Sequence, residues 1–487
     1  MLGHIFYLLV AAALFLAVPE KSYSAAASVF IVIGIIGMWR YAWAAINFVR
    51  ALLYLYIVYP KMRRNADKNY AKAGYTARAF FLTTTYKIET AVTLRVYREL
   101  FAAARSYPSG AIIVASVVDM ADQRFIQNIY DVSAAKNANV SLEFVRIPGT
   151  GKRDALACGI AAITKWQPSN QDVVIFVDGD SCVPLDIIDR VVPFFAGDPR
   201  VGALTTDELC ETKGSPLFQD WYALRFSQRQ MVMCSLGLSR RVLTLTGRMS
   251  VFRGDVVADP TFLEQVQKDE IEHWRLGNVK FLTGDDKSTW FWLLKNKYHM
   301  LYLPDVASLS MEGQPKDGFI ESAQTLMVRW FGNTMRNNAR SLALSPAKIG
   351  YFTWWSILDQ RLSMWTTLTG PISVLLGTLF VDPFIIVVYA SWIMFSRYVY
   401  CLLLTIFRES FPISYPFIAY FNQIYGSVMK TWVFFRLDRQ KWTRQAISVS
   451  GGGSDRTILV RQASSIYMQG LCFAGVITIV ALLSGVI

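Results

Sequence analysis

VVIFVDGDS at 173–181 decides the fold. Its apolar run is too continuous for a strand with one wet face, and it stops abruptly at two carboxylates one residue apart. A strand buried on both faces of a parallel sheet reads this way, and such sheets bind ligands outside the carboxyl ends of their strands. Asp178 and Asp180 therefore project from a strand end, close enough to share a divalent cation. Hard Mg2+ or Mn2+ suits carboxylate oxygens together with a diphosphate. Taken alone, a DxD also fits an ordinary surface pair at a strand end.

Outward from this strand, residues 76–345 carry short β-rich runs, RAFFLTTTY, AIIVASVVD, VSLEFVRI and DVVIFVDGD, separated by helix-like segments. Strands alternating with helices predict an α/β domain with a mainly parallel sheet. Beyond both ends the chain turns apolar. With 53% hydrophobic and 14% aromatic residues and a mean hydropathy of +0.31, apolar blocks at the two ends point to a bilayer. The net charge of +13 falls largely beside those blocks, as in KMRR at 61–64 and RLDRQKWTR at 436–444. That placement sets membrane orientation and argues against a nucleic-acid partner. The six cysteines form no CxxC pair and the three histidines are scattered, so reduced thiols and no zinc site are expected.

Residues 4–18 and 27–49 read as two spanning helices, the second running through ALLYLYIVYP at 51–60 into KMRR. The positive-inside rule then places residues from 61 onward in the cytosol. No Lys or Arg precedes the first stretch, so it reads as a retained helix and not a cleaved signal. After residue 350, WWSILDQRLSMW at 354–365 predicts an interfacial helix carrying Gln360 and Arg361. Spans are expected at 364–381, 384–407 and 468–487. Pro412, Pro416, Asn422, Gln423 and Lys430 interrupt 411–435, which reads either as a re-entrant segment or as a helix lining a polar channel. GGGSDR at 451–456 reads as a flexible cytosolic loop. No internal repeat is visible.

Two further motifs carry chemistry. PGTGKRDALACGI at 148–160 is not a P-loop, because Arg146 and Arg153 stand where Gly and Ser or Thr are required. It is a loop bearing Lys152 and Arg153, with Asp154 opening a helix. Its cations suit phosphates or a sugar, and a solvated loop with a capping Asp is the alternative. LTGDDKSTW at 282–290 sets Asp285 and Asp286 after a Gly and before Lys287. One carboxylate suits a general base for an acceptor hydroxyl, with Lys287 pairing its neighbour or the nucleotide. A helix start decorated with acids is equally open.

These motifs, in this order between these membrane blocks, resemble the processive family 2 glycosyltransferases, which include cellulose, hyaluronan and alginate synthases. The resemblance implies a GT-A (nucleotide-diphospho-sugar transferase) α/β domain inserted between the transmembrane helices of a multi-pass protein. The implied division is helices in 1–60, a cytosolic catalytic domain in 61–350, and an interfacial helix with a polysaccharide channel in 351–487. It further implies donor contacts at Asp119, Lys152, Asp154, Asp178 and Asp180, with the metal on Asp180 and Asp178. The base would be Asp286, with Asp285 and Lys287 beside it, and the acceptor contacts Arg329 and Trp330. Leu326 stands where the family's Q-x-x-R-W motif has Gln, and Gln324 would point elsewhere on a helix. QKWTRQ at 440–445 is similar to a cytosolic Trp–Thr–Arg element of hyaluronan-type synthases, which would make Trp442 and Arg444 channel or gating residues. An interfacial Trp beside a positive-inside Arg is the alternative.

Among the subgroups, GDDKSTWFWLL with LMVRWFGN looks most like the alginate polymerases. That likeness implies GDP-mannuronic acid as donor and a β-1,4-linked polymannuronate product, with Lys430, Arg436 and Arg444 available to a polyanion leaving the bacterial inner membrane. Envelope export and regulatory proteins are implied as partners, with a cyclic-di-GMP-binding co-polymerase as one candidate. A cellulose- or hyaluronan-like synthase using a UDP-sugar and a non-processive lipid-carrier transferase stay open. A transporter would require repeated membrane halves.

Overall fold

The computed structural model describes residues 2–25, 27–281, 283–440 and 455–485. The four apolar runs form strands β1 (Ala79–Thr85), β2 (Ala111–Val117), β3 (Val140–Arg146) and β4 (Val173–Asp178), all parallel. Further strands are β5 (Ser181–Cys182), β6 (Val201–Lys213), β7 (Met249–Arg253), a hairpin of β8 (Glu270–His273) and β9 (Gly277–Lys280), and β10 (His299–Gly313). The main sheet has the order β3-β2-β1-β4-β7-β6-β10-β5. Phe80, Phe81 and Leu82 of β1 and Val173, Val174 and Ile175 of β4 are fully buried, as strands covered on both faces require.

The expectation of a mainly parallel sheet holds from β3 to β4 and again between β6 and β10, and is broken at β7 and at the short β5. β7 is antiparallel to both β4 and β6. The reason lies in how the chain arrives: residues 238–248 reach the carboxyl end of β4, where the Asp178 N–H donates to Arg248 O at 3.0 Å. From that point β7 can only run back. The chain passes β1 to β2 to β3 on one side and resumes at β4 on the other, so the strand order reverses between β1 and β4. A crevice opens outside the strand ends at such a reversal.

Residues Ile33–Ala73, Tyr351–Phe380, Ile385–Leu404 and Asp455–Leu483 are long and apolar enough to cross a membrane. The first belongs to a rod in which Ala27–Leu53, a π-helical turn at Tyr54–Val58 and Tyr59–Ala73 follow without a break. At ~1.5 Å per residue the rod is about 70 Å long. It is fastened to β10: Tyr54 OH donates to Tyr302 O at 2.6 Å, and Tyr59 and Arg63 both bind Asp305.

Three membrane expectations change. The 15-residue helix Leu2–Leu16 falls short of the ~20 residues that a span needs. It lies along Ile385–Leu404 instead, with Tyr7 OH donating to Met394 O at 3.0 Å and Ser391 Oγ donating to Ala11 O at 2.8 Å. The expected interfacial helix at 354–365 and the span after it are one helix, Tyr351–Phe380, with Pro371 inside. Its polar residues find protein partners: Asp359 pairs with Arg40, and Gln360 accepts from Asn338 Nδ2 at 2.9 Å. The re-entrant alternative for 411–435 gives way to a continuous helix, Tyr415–Phe434, with Pro416 harmlessly in its first turn. Asn422 is satisfied by the Trp221 indole N–H at 2.5 Å. Of the expected loop at 451–456, Asp455 and Arg456 instead open a helix.

Candidate active site

A cavity of about 550 Å³ occupies the crevice between β1 and β4. Thr84, Thr85, Asp178, Gly179 and Asp180 line it from the two strand ends, and Gly151, Lys152, Asp285 and Asp286 from the loops above. Gly179 is required between the two aspartates, because a Cβ there would lie 2.5 Å from Thr84 O. Gly284 precedes the acids in a left-handed conformation, φ +86°, against Asn333. That turn starts the helix Asp285–Lys295 at the cavity wall.

Lys152 joins the two acidic motifs. Its Nζ donates to Asp178 at 2.6 Å and reaches Asp285 at 3.2 Å. Burial by itself would lower the Lys152 ammonium, but the charges of Asp178 and Asp285 outweigh it and hold the group above its ordinary value. Burial raises the Asp178 carboxyl to about 6, against the pull of Lys152, and the like charges of Asp180 and Asp285 add to the rise.

Asp285 and Asp286 thereby differ in their surroundings. Asp285 is buried and engaged by Lys152. Asp286 faces the cavity, with Thr244 Oγ1 donating at 3.4 Å. Burial, and then the Asp285 charge, push its carboxyl above the usual range, while Lys287 opposes them. Lys287 is itself lowered to about 8 by burial, and its Nζ donates to Leu243 O. A carboxylate raised in this way accepts a proton more readily than an ordinary one.

Arg153 is turned away from the cavity. It is buried and donates to Val266 O at 2.8 Å and Ser288 Oγ at 2.8 Å, tying the loop to the helix of the GDD motif. Asp119 follows β2 at the start of the helix Met120–Val132, and Asp154 sits in the first turn of Lys152–Thr164. Neither lines the cavity, although Val118 does. Arg329 and Trp330 line another wall, from the helix Phe319–Leu342. Leu326 on the same helix is buried, so the departure from the Gln motif falls in packing. Lys430 lies 5.0 Å from the Phe331 ring, and Arg436 donates to Gln469 Oε1 at 2.7 Å. Trp442 and Arg444 lie outside the described residues.

Several cavity residues belong to no motif. Glu208, near the middle of β6, accepts from Arg248 at 3.1 Å, pairs with Arg229 at 3.3 Å and binds Thr246 Oγ1. Arg248 also donates to Glu312 at 2.9 Å. The run TTDEL at 205–209 was the available signal: four consecutive buried polar residues, Thr205 to Glu208, need partners from elsewhere.

A family model described as "Glycosyltransferase like family 2" matches residues 78–340. The chain belongs to glycosyltransferase family 2. Two relatives extend the match over nearly the whole chain. "Glycosyltransferase alg8" of Pseudomonas syringae pv. tomato (strain ATCC BAA-871 / DC3000) is 41% identical over 449 residues, 92% of this chain and 91% of its own. "Glycosyltransferase alg8" of Azotobacter vinelandii is 40% identical over 441 residues, 90% and 88% respectively. Among solved structures, mannosyltransferase PcManGT from Pyrobaculum calidifontis in complex with GDP-Man and Mn2+ matches with a TM-score of 0.43 and 15% identity, over 79% of this chain and 97% of that one. The expected GT-A domain flanked by membrane helices, and the expected enzyme class, a hexosyltransferase, are borne out for this family 2 glycosyltransferase.

Among the described residues no group of three His, Cys, Asp or Glu side chains is arranged to hold a metal. The site nevertheless fits a hard divalent cation, which takes one or two carboxylates together with substrate phosphates. Asp180 and Asp178 at the cavity edge supply that donor set.

Proposed function

We propose that this chain polymerises GDP-mannuronic acid into β-1,4-linked polymannuronate, the alginate precursor, as a processive inverting transferase of a bacterial inner membrane. The observation that carries this reading is that one cavity holds Asp180, the Lys152–Asp178 pair and Asp286, and ends at Trp330 beside the membrane bundle. The choice of sugar rests on the likeness of GDDKSTWFWLL and LMVRWFGN to alginate polymerases and on the two alg8 relatives.

In this mechanism Asp180, assisted by Asp178, would hold Mg2+ or Mn2+, and the cation would supply positive charge against a departing diphosphate. Asp286 takes the proton from the acceptor hydroxyl as the hydroxyl oxygen attacks the anomeric carbon and the nucleoside diphosphate leaves. Lys152 positions Asp178 and Asp285, and Lys287 holds the Asp286 helix start against Leu243. Asp119 and Asp154 would contact the donor from the rim, and Arg329 and Trp330 would meet the acceptor. Residues 61–350 would lie in the cytosol, with 351–487 passing the chain to envelope export proteins under a cyclic-di-GMP-binding partner.

The test is to incubate membranes containing the protein separately with GDP-mannuronate, UDP-glucose and UDP-glucuronate, and to size any polymer. Long chains from GDP-mannuronate alone support the reading. Polymer from either UDP-sugar alone, or single-sugar products only, overturns it.

A further inference from the structure

The cations lining the cavity divide into two kinds. Lys152 is held by Asp178 and Asp285, Arg229 by Glu208, Arg248 by Glu208 and Glu312, and Lys287 faces Asp286. Arg225 and Arg329 have no hydrogen bond or ion pair to any described residue, and of the two it is Arg225 that lies on an indole. Its nearest carboxylates, Glu208 and Glu312, are already bound by Arg248.

What supports Arg225 is aromatic. Its Cζ lies 3.5 Å from the Trp330 ring centroid and 5.1 Å from that of Trp221, and the two indoles stack at 5.7 Å and 28°. A guanidinium laid on an indole uses its π face and leaves its N–H edges in plane. Those edges match the two oxygens of a carboxylate. Trp221 is fully buried and bonded to Asn422 of the helix Tyr415–Phe434, which packs on the apolar helices Tyr351–Phe380 and Ile385–Leu404, so this corner adjoins the bundle. A half-buried cation whose neighbouring carboxylates are bound elsewhere is poorly compensated, and desolvation lowers Arg225 to about 10. An anionic ligand arriving there supplies that compensation.

We propose that Arg225, laid on Trp330, is a carboxylate-reading subsite for the uronate residue of the growing chain at the membrane-side end of the cavity. This rests on the polymannuronate reading. It accounts for a planar cation stacked where a neutral-sugar synthase would need only a bare aromatic face.

The test uses the full-length protein in lipid nanodiscs and measures binding of oligomannuronate, of neutral oligomannose of equal length, and of GDP. The parent should prefer oligomannuronate by about tenfold or more, as a charge-assisted bidentate contact provides. Arg225→Gln should bring that preference close to unity and leave GDP affinity within about twofold. Arg225→Lys, which keeps the charge without the planar fork, should keep part of the preference. A preference undiminished in Arg225→Gln overturns the subsite. Loss of GDP affinity with an unchanged preference also overturns it, and assigns the guanidinium to the diphosphate. No preference in the parent itself overturns the uronate reading along with the subsite, and is thus told apart from failure of Arg225 alone.

Discussion

Lys152 Nζ sits 2.6 Å from Asp178, so one member of the DGD pair is already neutralised by the protein before any ligand arrives. In the proposed mechanism Asp180 would be the principal carboxylate ligand of the cation. The same lysine reaches Asp285, making one charge the hinge between the loop after β3, the end of β4 and the GDD helix. Lys152→Met should strand two cavity carboxylates. Removing one partner of a largely buried pair costs about 3–5 kcal/mol, so thermal stability in detergent should drop by several degrees and polymer formation should nearly vanish. Unchanged melting would show that the pair is dispensable to the fold.

The base and metal roles make different demands on carboxylates. Asp286→Asn should retain nucleotide-sugar affinity while turnover falls by about 10²- to 10⁴-fold. Asp180→Asn should weaken donor binding as well, and excess chelator should abolish activity in the parent. Donor affinity and polymer yield measured on the same membranes separate the two. Loss of donor affinity in Asp286→Asn would move that residue to the nucleotide.

The pH profile follows from the raised Asp286 carboxyl. The base works ionised, so turnover should fall as pH drops through its pKa, and that limb should lie above the ordinary carboxylate range. Asp285→Asn removes the neighbouring negative charge that helps to raise it. The acid limb of the residual activity should therefore move to lower pH. A limb that stays in place assigns it to another group.

Arg408, in the turn after the membrane helix Ile385–Leu404, donates to the buried Asp207 at 2.6 Å and to Glu208 O at 2.9 Å. Arg408→Ala leaves Asp207 with Tyr302 OH at 2.9 Å and Arg229 at 4.0 Å. Scanning calorimetry should record a loss of about 3–5 kcal/mol, reduced when Asp207→Asn is combined with it. A double variant no more stable than Arg408→Ala would refute the coupling.

How far the sequence could be read depended on whether a segment's partners were local. β1 to β4 were legible because burial on both faces leaves uninterrupted apolar runs. β6 and β10 were not picked out: VGALTTDELCETK hides Thr205, Thr206, Asp207 and Glu208 in the interior, and Arg229, Arg248 and Arg408, which make that tolerable, lie 20 to 200 residues further on. The interruptions at 411–435 read as breaks because Trp221, which satisfies Asn422, comes from the catalytic body. In the site, acids spaced by one residue announced themselves. Arg225 could not, since a stacked arginine has no sequence pattern until its indole is placed.

The largest hydrophobic cluster runs from Tyr54 and Tyr59 of the long rod through Phe80 and Val174 of the sheet to Tyr415, Ile418 and Met429 of the last described helix before residue 440. Among the described residues that cluster consequently leaves no clean seam between the catalytic body and the helices Ala27–Leu53 and Tyr415–Phe434. A fragment beginning after residue 73 would bare the groove that Tyr54 and Tyr59 fill, and grafting this sheet onto another bundle would require rebuilding both sides of that groove together. In engineering terms the enzyme is one casting, and its specificity has to be altered in place.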